Sequence, residues 1–194
     1  MVKNLSATSS KGSKKGETLE EKKEEVKQPK VAEAKNKSQS SGKDVICFYG
    51  AKNPNGFMSN FHSNPINLDG KVWPTTEHYF QAMKFPTRPE HQEKIRTNKN
   101  PVIAKRCGRA KDGFRPDWES AKDNVMYKAL VAKFTQHPLL AQQLDATGEA
   151  LLVEHTTRDK YWGDGGDGGT GEKGRNTLGR LLVRVRAELR QNKK

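Results

Sequence analysis

The sequence predicts an α+β fold in which residues 43–194 form one compact, mostly helical domain with a few short antiparallel strands. Runs of β-branched and aromatic residues long enough for strands are few, and they occupy residues 45–49, 66–73 and 151–155. From Pro86 onward, most other segments space their apolar residues three or four apart, which is typical of helices.

Residues 1–42 differ in composition from the rest of the chain, because they contain no aromatic residue and are rich in Lys, Glu, Ser and Gly. Such a segment cannot bury enough apolar area to offset the entropy lost on ordering, so we predict a disordered tail. The chain has a net charge of +13, a basic excess that favours phosphorylated small molecules, nucleic acid or an acidic surface as partners. The Lys-rich tail is either a solvating extension or a signal for nuclear import or nucleic-acid contact.

Several classes of protein are excluded by what the sequence lacks. Its two cysteines, Cys47 and Cys107, stand in unrelated contexts without a CxxC or Cys/His cluster, so we predict no metal site and no disulfide framework. No run of about 18 apolar residues is present, so no membrane span is predicted. The N-terminus lacks the hydrophobic region of a secretory signal. We therefore expect a cytoplasmic protein, or a nuclear one if the tail directs import.

The N-terminal half contains the predicted strands and the first helix. VICFY (45–49) is a short β-branched and aromatic run typical of a strand. INLDGKVW (66–73) places Asp69-Gly70 between two alternating runs, which is a strong signal for a β-hairpin. After Pro74, the hydroxyl of Thr75 or Thr76 is a good N-cap for a helix with Glu77 in its first turn.

Five further helices are predicted from apolar spacing and from their end signals. Proline at a first helical position and glycine at a C-terminus mark the ends of several of them. They cover residues 90–97, 101–109, 117–134, 138–148 and 177–190. The run LLVEH (151–155) supplies the last strand.

The first helix carries an unusual row of polar residues in the sequence WPTTEHYFQAMKF (73–85). At 100° per residue, Glu77, Gln81 and Lys84 fall on one narrow stripe, while bulky residues occupy the flanks and the back. The stripe is either the one solvated face of a buried helix or the lining of a pocket.

The segment from Asp159 to Arg180 is rich in glycine. Residues 163–168 match the dinucleotide pattern GxGxxG, but no hydrophobic strand comes before them, and the Asp spacing does not fit a calcium loop. Since the loop leads into a helix start, it is either an anion site made of free N–H groups or a mobile surface loop with an ordinary cap. Trp162, beside so many glycines, is suited to stack on a heterocycle.

Together these pieces predict a nucleotide-like ligand. The loop and Arg109 or Arg115 would hold a phosphate, Trp162 or Trp118 a base, and Glu77 a sugar. The alternatives are that each arginine is a solvated surface charge and that Trp118 packs in the core.

Three further polar residues have competing interpretations. Asn60, between apolar neighbours in MSNF, is either a turn former or a ligand-binding amide. His78 and His155 are more typical of partly buried, hydrogen-bonded histidines than of catalytic bases.

Five motifs in order, GFMSNF, DGKVWPTTEHYFQAMKF, WESAKDNVM, LLVEHTTRDKYWGDGG and NTLGRLLVRVRAEL, resemble the YbiA-like N-glycosidases of the NADAR family. The resemblance covers residues 46–190 and implies a compact α+β, mostly helical domain. It implies a hydrolase that cleaves the N-glycosidic bond of ribosylamino-pyrimidine 5′-phosphates, early intermediates of riboflavin biosynthesis, and releases ribose 5-phosphate. Other members of the family remove ADP-ribose from guanine bases, so nucleic acid is expected only as an ADP-ribosylated substrate. No cofactor is implied.

The resemblance also implies where the active site lies. It places Glu77, Gln81 and Lys84 at the centre. The surrounding residues that it implies are Asn60, Trp73, Tyr79, Asp159, Trp162 and Asn176, to which the predicted phosphate contacts add Arg109 and Gly163 as substrate-binding candidates. The loop GDGGDGGTGEKGRN is a few residues longer than in the bacterial relatives, which leaves the exact substrate open.

The mechanism that follows assigns a role to each polar residue. Breaking a C1′–N bond develops positive charge on the ribose. The Glu77 carboxylate would either stabilise this charge or activate the attacking water. Gln81 would hold ribose hydroxyls, and Asp159 is a candidate second carboxylate. Lys84 would either neutralise the substrate anion or attack a ring-opened sugar as a nucleophile. A non-catalytic module that binds NAD, ADP-ribose or another nucleotide is the remaining alternative.

Overall fold

The structure is a computed structural model and describes residues 44–192, so the predicted disordered tail lies outside the described residues. Within that range, no helix has the length and apolar character needed to cross a bilayer. The elements in chain order are β1 Val45–Phe48, a 3₁₀ turn Gly56–Met58, β2 Ile66–Leu68, β3 Lys71–Trp73, α1 Thr76–Ala82, α2 Pro89–Arg96, α3 Pro101–Cys107, α4 Trp118–Gln136, α5 Pro138–Ala146, β4 Leu151–Glu154 and α6 Thr177–Gln191.

The predicted hairpin is confirmed. β2 and β3 pair antiparallel, with Ile66 opposite Trp73. Asp69 has φ 52° and Gly70 has φ 73°, as a type I′ turn requires at both central residues. The hairpin is short, and its apolar side packs on helices rather than on another sheet.

The other strand pair corrects one expectation. β1 and β4 run parallel, with Val45 opposite Leu151 and Phe48 opposite Glu154, whereas the sequence predicted antiparallel strands. Parallel strands need a long crossover connection, and here the hairpin and five helices lie between the two strands. The mostly helical α+β fold is otherwise confirmed.

Two clusters of buried apolar side chains meet at α1 and α4. The first lies between α4, α5, α6 and the β1–β4 pair, and the second between the hairpin, α1, α2 and α3. Every residue of α1 is buried, with Phe80 in the first cluster and Tyr79 in the second. A short helix enclosed in this way leaves its polar stripe almost no contact with bulk solvent.

Helix α6 lies directly on the backbone of β4. A Cβ on Gly179 would overlap the Leu152 carbonyl oxygen, so only glycine permits this approach. Asn176 precedes the helix with φ 48°, and its side-chain amide bonds the Glu154 N–H at 3.0 Å and the Leu152 carbonyl at 2.8 Å. These contacts fix the C-terminal end of β4, which borders the candidate site.

Candidate active site

The polar stripe of α1 forms one wall of a cleft of about 230 Å³. The helix begins where the Thr75 hydroxyl accepts a hydrogen bond from the His78 N–H at 3.3 Å, which confirms the predicted cap. Eleven residues line the cleft: Asn60, Phe61, Glu77, Phe80, Gln81, Lys84, Lys105, Met126, Glu154, Asp159 and Trp162. They come from segments up to about 100 residues apart in the sequence.

Glu77 and Gln81 form a buried pair on this wall. They are 4% and 3% exposed, and the Gln81 Nε2 donates to Glu77 Oε1 at 2.7 Å. Burial raises the pKa of Glu77, while the Gln81 hydrogen bond and the positive charges of Lys105 and Lys84 oppose the rise. The Gln81 Oε1 is buried against Gly108 and has no hydrogen-bond partner within residues 44–192.

Lys84 lies among aromatic rings. Its Nζ is 5.5 Å from the centre of the Phe80 ring and 5.4 Å from that of Trp118, and it donates to the Gly108 carbonyl at 3.4 Å. Burial is the main cause that lowers the pKa of Lys84, and the charges of Lys105 and Arg109 lower it further. Lys84 is therefore a partly desolvated cation held beside the Glu77 carboxylate.

Two more carboxyl groups line the cleft. Asp159 Oδ1 accepts hydrogen bonds from the N–H groups of Tyr161 and Trp162, both at 2.8 Å. Glu154 is the last residue of β4, and burial raises its pKa to about 7, with smaller contributions from the negative charges of Asp159 and Glu77. The Trp162 ring packs edge-on against Phe80, with 5.3 Å between ring centres.

Asn60 joins the site from the segment after the 3₁₀ turn. Its carbonyl accepts the Glu77 N–H at 3.2 Å, and the Thr76 hydroxyl lies 3.1 Å from both its carbonyl and its side-chain oxygen. With that oxygen engaged, the Asn60 amide N–H₂ is the part of the side chain left to contact a ligand.

Trp73 and Tyr79 do not line the cleft, although the family resemblance implied that they surround it. Trp73 donates to the Leu68 carbonyl at 3.0 Å, and Tyr79 donates to the Asp69 carboxylate at 2.8 Å. Both belong to the second apolar cluster, since Trp73 ends β3 of the hairpin and Tyr79 lies on the side of α1 that faces the hairpin.

Three other expected residues lie beside the cleft rather than in its lining. Asn176 and Gly163 hold the backbone beside the cleft, since the Gly163 carbonyl accepts a hydrogen bond from the Asn176 N–H at 3.0 Å. A Cβ on Gly163 would overlap the Thr156 methyl group. Arg109 is exposed, and its charge reaches the site only through its effect on Lys84. Arg115 pairs with Asp117 at 2.6 Å.

The predicted anion site at the start of α6 is wrong. The N–H groups of Thr177 and Leu178 donate to the carbonyls of Tyr161 and Trp162 at 3.0 and 3.1 Å. The glycine-rich loop also uses its own N–H groups, because Asp164 and Asp167 each accept from two of them, and Asp164 accepts from the Thr156 N–H as well. These N–H groups already have side-chain carboxylates as partners.

Three structural interpretations are confirmed. Trp118 is 5% exposed in the first apolar cluster. His78 has both ring nitrogens engaged, by the Thr75 hydroxyl at 2.8 Å and the Asn98 carbonyl at 2.9 Å. His155 bonds the Asp164 carboxylate at 2.7 Å. Burial acts to raise the pKa of Asp164, but this bond and three backbone N–H donors outweigh it and lower the pKa to about 2.

Two charged residues of the cleft, Glu154 and Lys105, were not predicted from the sequence. Glu154 ends an apolar strand, and a carboxylate in that position is a usable signal, because strand ends often carry functional groups. Lys105 is one of two adjacent cations on α3, beside Arg106, and no local pattern distinguishes it. Within residues 44–192, no group of three His, Cys, Asp or Glu side chains is placed to hold a metal ion.

The chain is similar in sequence and in structure to known proteins. The model of the NADAR domain matches residues 47–190. The chain is 50% identical over 146 residues to the N-glycosidase YbiA of Escherichia coli (strain K12), an alignment that covers 75% of this chain and 88% of that protein.

Two further matches extend the comparison. The riboflavin biosynthesis protein VVA0006 of Vibrio vulnificus (strain YJ016) is 41% identical over 148 residues, which cover 76% of this chain and 39% of the relative. The NMR structure of the E. coli protein YbiA superposes with a TM-score of 0.70 at 48% identity and covers 79% of this chain and 89% of that one.

Proposed function

The chain belongs to the NADAR family, and from that premise we propose that it is an N-glycosidase. It hydrolyses the C1′–N bond of ribosylamino-pyrimidine 5′-phosphates, the intermediates of riboflavin biosynthesis, and releases ribose 5-phosphate. The observation that carries the proposal is the buried Glu77–Gln81 pair beside two lysines, in a chain half identical to a named N-glycosidase.

The position of Glu77 suits a reaction that builds positive charge on a sugar. As the C1′–N bond breaks, the ribose becomes oxocarbenium-like, and a carboxylate beside C1′ stabilises it or takes a proton from the attacking water. The Gln81 N–H fixes the orientation of the carboxylate. Gln81 therefore acts on the substrate through Glu77, because its Nε2 is bonded to Glu77 and its Oε1 is buried against Gly108.

The other residues of the cleft match the remaining parts of the substrate. Lys84 and Lys105 supply positive charge for the 5′-phosphate, and Trp162 and Phe80 offer aromatic surface to the pyrimidine. At about 230 Å³ the cleft is smaller than the roughly 300–1,000 Å³ of sites for drug-sized ligands, which favours a compact monophosphate. Removal of ADP-ribose from guanine, the second activity in the family, requires a longer ligand that extends out of the cleft.

The proposal also includes the setting of the reaction. The partner is a small phosphorylated ribosylamine, and nucleic acid would enter only as an ADP-ribosylated substrate. The location is cytoplasmic, or nuclear if the Lys-rich residues 1–42 direct import.

The test is incubation of the purified full-length chain with the two early riboflavin intermediates and, separately, with ADP-ribosylated DNA. We expect ribose 5-phosphate to appear with the riboflavin intermediates at a rate above that of spontaneous decay. Ribose 5-phosphate should also raise the thermal unfolding midpoint more than ADP-ribose does. Turnover of ADP-ribosylated DNA alone would assign the second activity, and turnover of neither substrate would reject both.

A further inference from the structure

Glu154 is the one carboxyl group of the cleft without a hydrogen bond to another described residue. Glu77 accepts from Gln81, and Asp159 accepts two backbone N–H groups, whereas no hydrogen bond reaches the Glu154 side chain within residues 44–192. Its main chain is nevertheless held rigidly, because the Asn176 side chain binds its N–H and the Asp164 N–H binds its carbonyl, both at 3.0 Å. A fixed backbone thus presents an unbonded carboxyl group to the cleft.

The surroundings of Glu154 favour its protonated form. Burial makes ionisation costly, and the charged groups that face it are mostly negative: Asp159, Glu77 and Asp164, against Lys105. The neighbouring elements add no counterion, since Phe48 is its partner on β1 and the neutral Asn176 lies at the start of α6. Together these effects raise the pKa of Glu154 to about 7.

Glu77 differs in the groups that surround its carboxylate. Burial raises the pKa of Glu77 as well, but Glu77 receives an N–H donor from Gln81 and the charges of Lys105 and Lys84, which favour the anion. Two carboxyl groups in different surroundings, one with a hydrogen-bond donor and one without, are the usual arrangement for an anionic partner and an acid in one site. The cleft therefore contains a hydrogen-bonded carboxylate on α1 and an unbonded carboxylic acid at the end of β4.

We propose that Glu154 is the general acid of the reaction, and that its carboxyl proton is transferred to the departing nitrogen while the Glu77 carboxylate faces C1′. This inference rests on the proposed N-glycosidase function. It assigns Glu154 a catalytic role and leaves Asp159 to hold the Tyr161–Trp162 backbone that forms the aromatic wall.

The chemical step balances with water as the only co-reactant. The electron pair of the C1′–N bond goes to nitrogen, which takes the proton of Glu154 and leaves as an amine. Water adds to C1′, and its proton goes to the Glu77 carboxylate. Glu154 is left ionised and Glu77 protonated, and exchange with solvent restores both.

The first test is the pH dependence of kcat/KM for the wild type, Glu154→Gln and Glu154→Asp, with Glu172→Gln as an exposed control. For the wild type we expect a tenfold fall per pH unit above about pH 7, where Glu154 ionises. Glu154→Gln should be about 10²–10⁴-fold slower and should lose this alkaline limb, as expected for the loss of a general acid. Glu154→Asp should have a lower kcat/KM than the wild type but should keep the fall in kcat/KM at alkaline pH.

A second measurement follows the proton without relying on turnover. In protein labelled with ¹³C at the Glu carboxyl carbons, the signal missing from Glu154→Gln identifies Glu154, and its chemical shift should titrate near pH 7. Titration near the ordinary value for glutamate would overturn the proposal.

The outcomes separate this inference from the proposed function. If the wild type releases ribose 5-phosphate but Glu154→Gln keeps the wild-type rate, or is slow yet keeps the alkaline limb, only the role of Glu154 is overturned. If the wild type does not turn over the substrate, both proposals fail.

Discussion

Glu77 is 4% exposed, and an ionised carboxylate in such a position requires hydrogen bonds and nearby positive charge. The Gln81 amide supplies the hydrogen bond, and Lys84 and Lys105 supply the charge. The direction of the Gln81 amide is set in turn by Gly108, against which the Gln81 Oε1 lies. The orientation of the proposed catalytic carboxylate therefore depends on a glycine of the neighbouring segment.

Gly108→Ala should lower activity without unfolding the domain. A Cβ at this position would overlap Gln81 Oε1 and lie 2.7 Å from its Cδ, so the amide must move away from Glu77. Gly108 has φ −66°, which alanine adopts without strain. We expect a fall in kcat of about tenfold or more, because small displacements of positioning groups can cost up to about 10²-fold.

A double-mutant cycle identifies the cause of that fall. In a Gln81→Ala background the overlap with the amide no longer exists and only the 3.1 Å approach to the Cβ of residue 81 remains, so adding Gly108→Ala should cause a much smaller further loss. Equal losses from Gly108→Ala in both backgrounds would show that the effect does not pass through Gln81.

At the scale of elements, α4 holds the segment that carries Asn60. Lys133 of α4 is fully buried, and its Nζ donates to the carbonyls of Phe57 at 2.6 Å and Ser59 at 2.9 Å. Burial lowers the pKa of Lys133 to about 7. Because these carbonyls flank the end of the 3₁₀ turn, one side chain fixes the loop that leads to the cleft.

Lys133→Met should destabilise the domain and weaken substrate binding through Asn60. Each buried carbonyl left without a donor costs about 1–3 kcal/mol, so we expect a loss of about 3 kcal/mol in urea unfolding and a raised KM. The control is Lys128→Met on the same helix, which breaks an exposed pair with Asp69 and should cost less than about 1 kcal/mol. Similar losses from the two variants would contradict this role of Lys133.

Gly179→Ala tests the contact between α6 and β4. In a helix, alanine is more stabilising than glycine by about 1 kcal/mol, but here its Cβ would overlap the Leu152 carbonyl oxygen. Since overpacking costs about 1–3 kcal/mol, we expect a net destabilisation of about 1–2 kcal/mol by urea unfolding. Arg180→Ala, at the next and exposed position, should leave stability nearly unchanged, and a stabilised Gly179→Ala would rule out the close contact.

The elements themselves could be predicted, but not all of their partners. Asp69-Gly70 fixes its hairpin through local backbone conformation, and the ends of α4 and α6 follow from apolar spacing. Spacing does not encode strand direction, so the parallel pairing of β1 with β4 could not be predicted. Nor does it show that Asp164 and Asp167 turn the glycine-rich loop inward, because those hydrogen bonds exist only in the folded backbone.

At the scale of the whole molecule, the cleft forms where two apolar clusters meet along α1. Glu77 and Gln81 could be found from the sequence because they lie one turn apart on α1, and Lys84 follows two residues after the helix ends at Ala82. Glu154 and Lys105 reach the same cleft from β4 and α3, and only the folded chain brings them together. Trp73 and Tyr79 are close to the stripe in sequence, yet Trp73 belongs to β3 and Tyr79 lies on the other side of α1, and both pack in the second apolar cluster.

The proposed reaction requires the Glu77 carboxylate to act on the sugar carbon of a bound substrate. The most direct measurement is single-turnover release of ribose 5-phosphate by Glu77→Gln, with substrate affinity measured in parallel and the exposed Glu90→Gln as control. We predict a rate lower by about 10²–10⁴-fold, with affinity and thermal unfolding close to those of the wild type. A Glu77→Gln variant that releases ribose 5-phosphate at the wild-type rate would contradict the central claim.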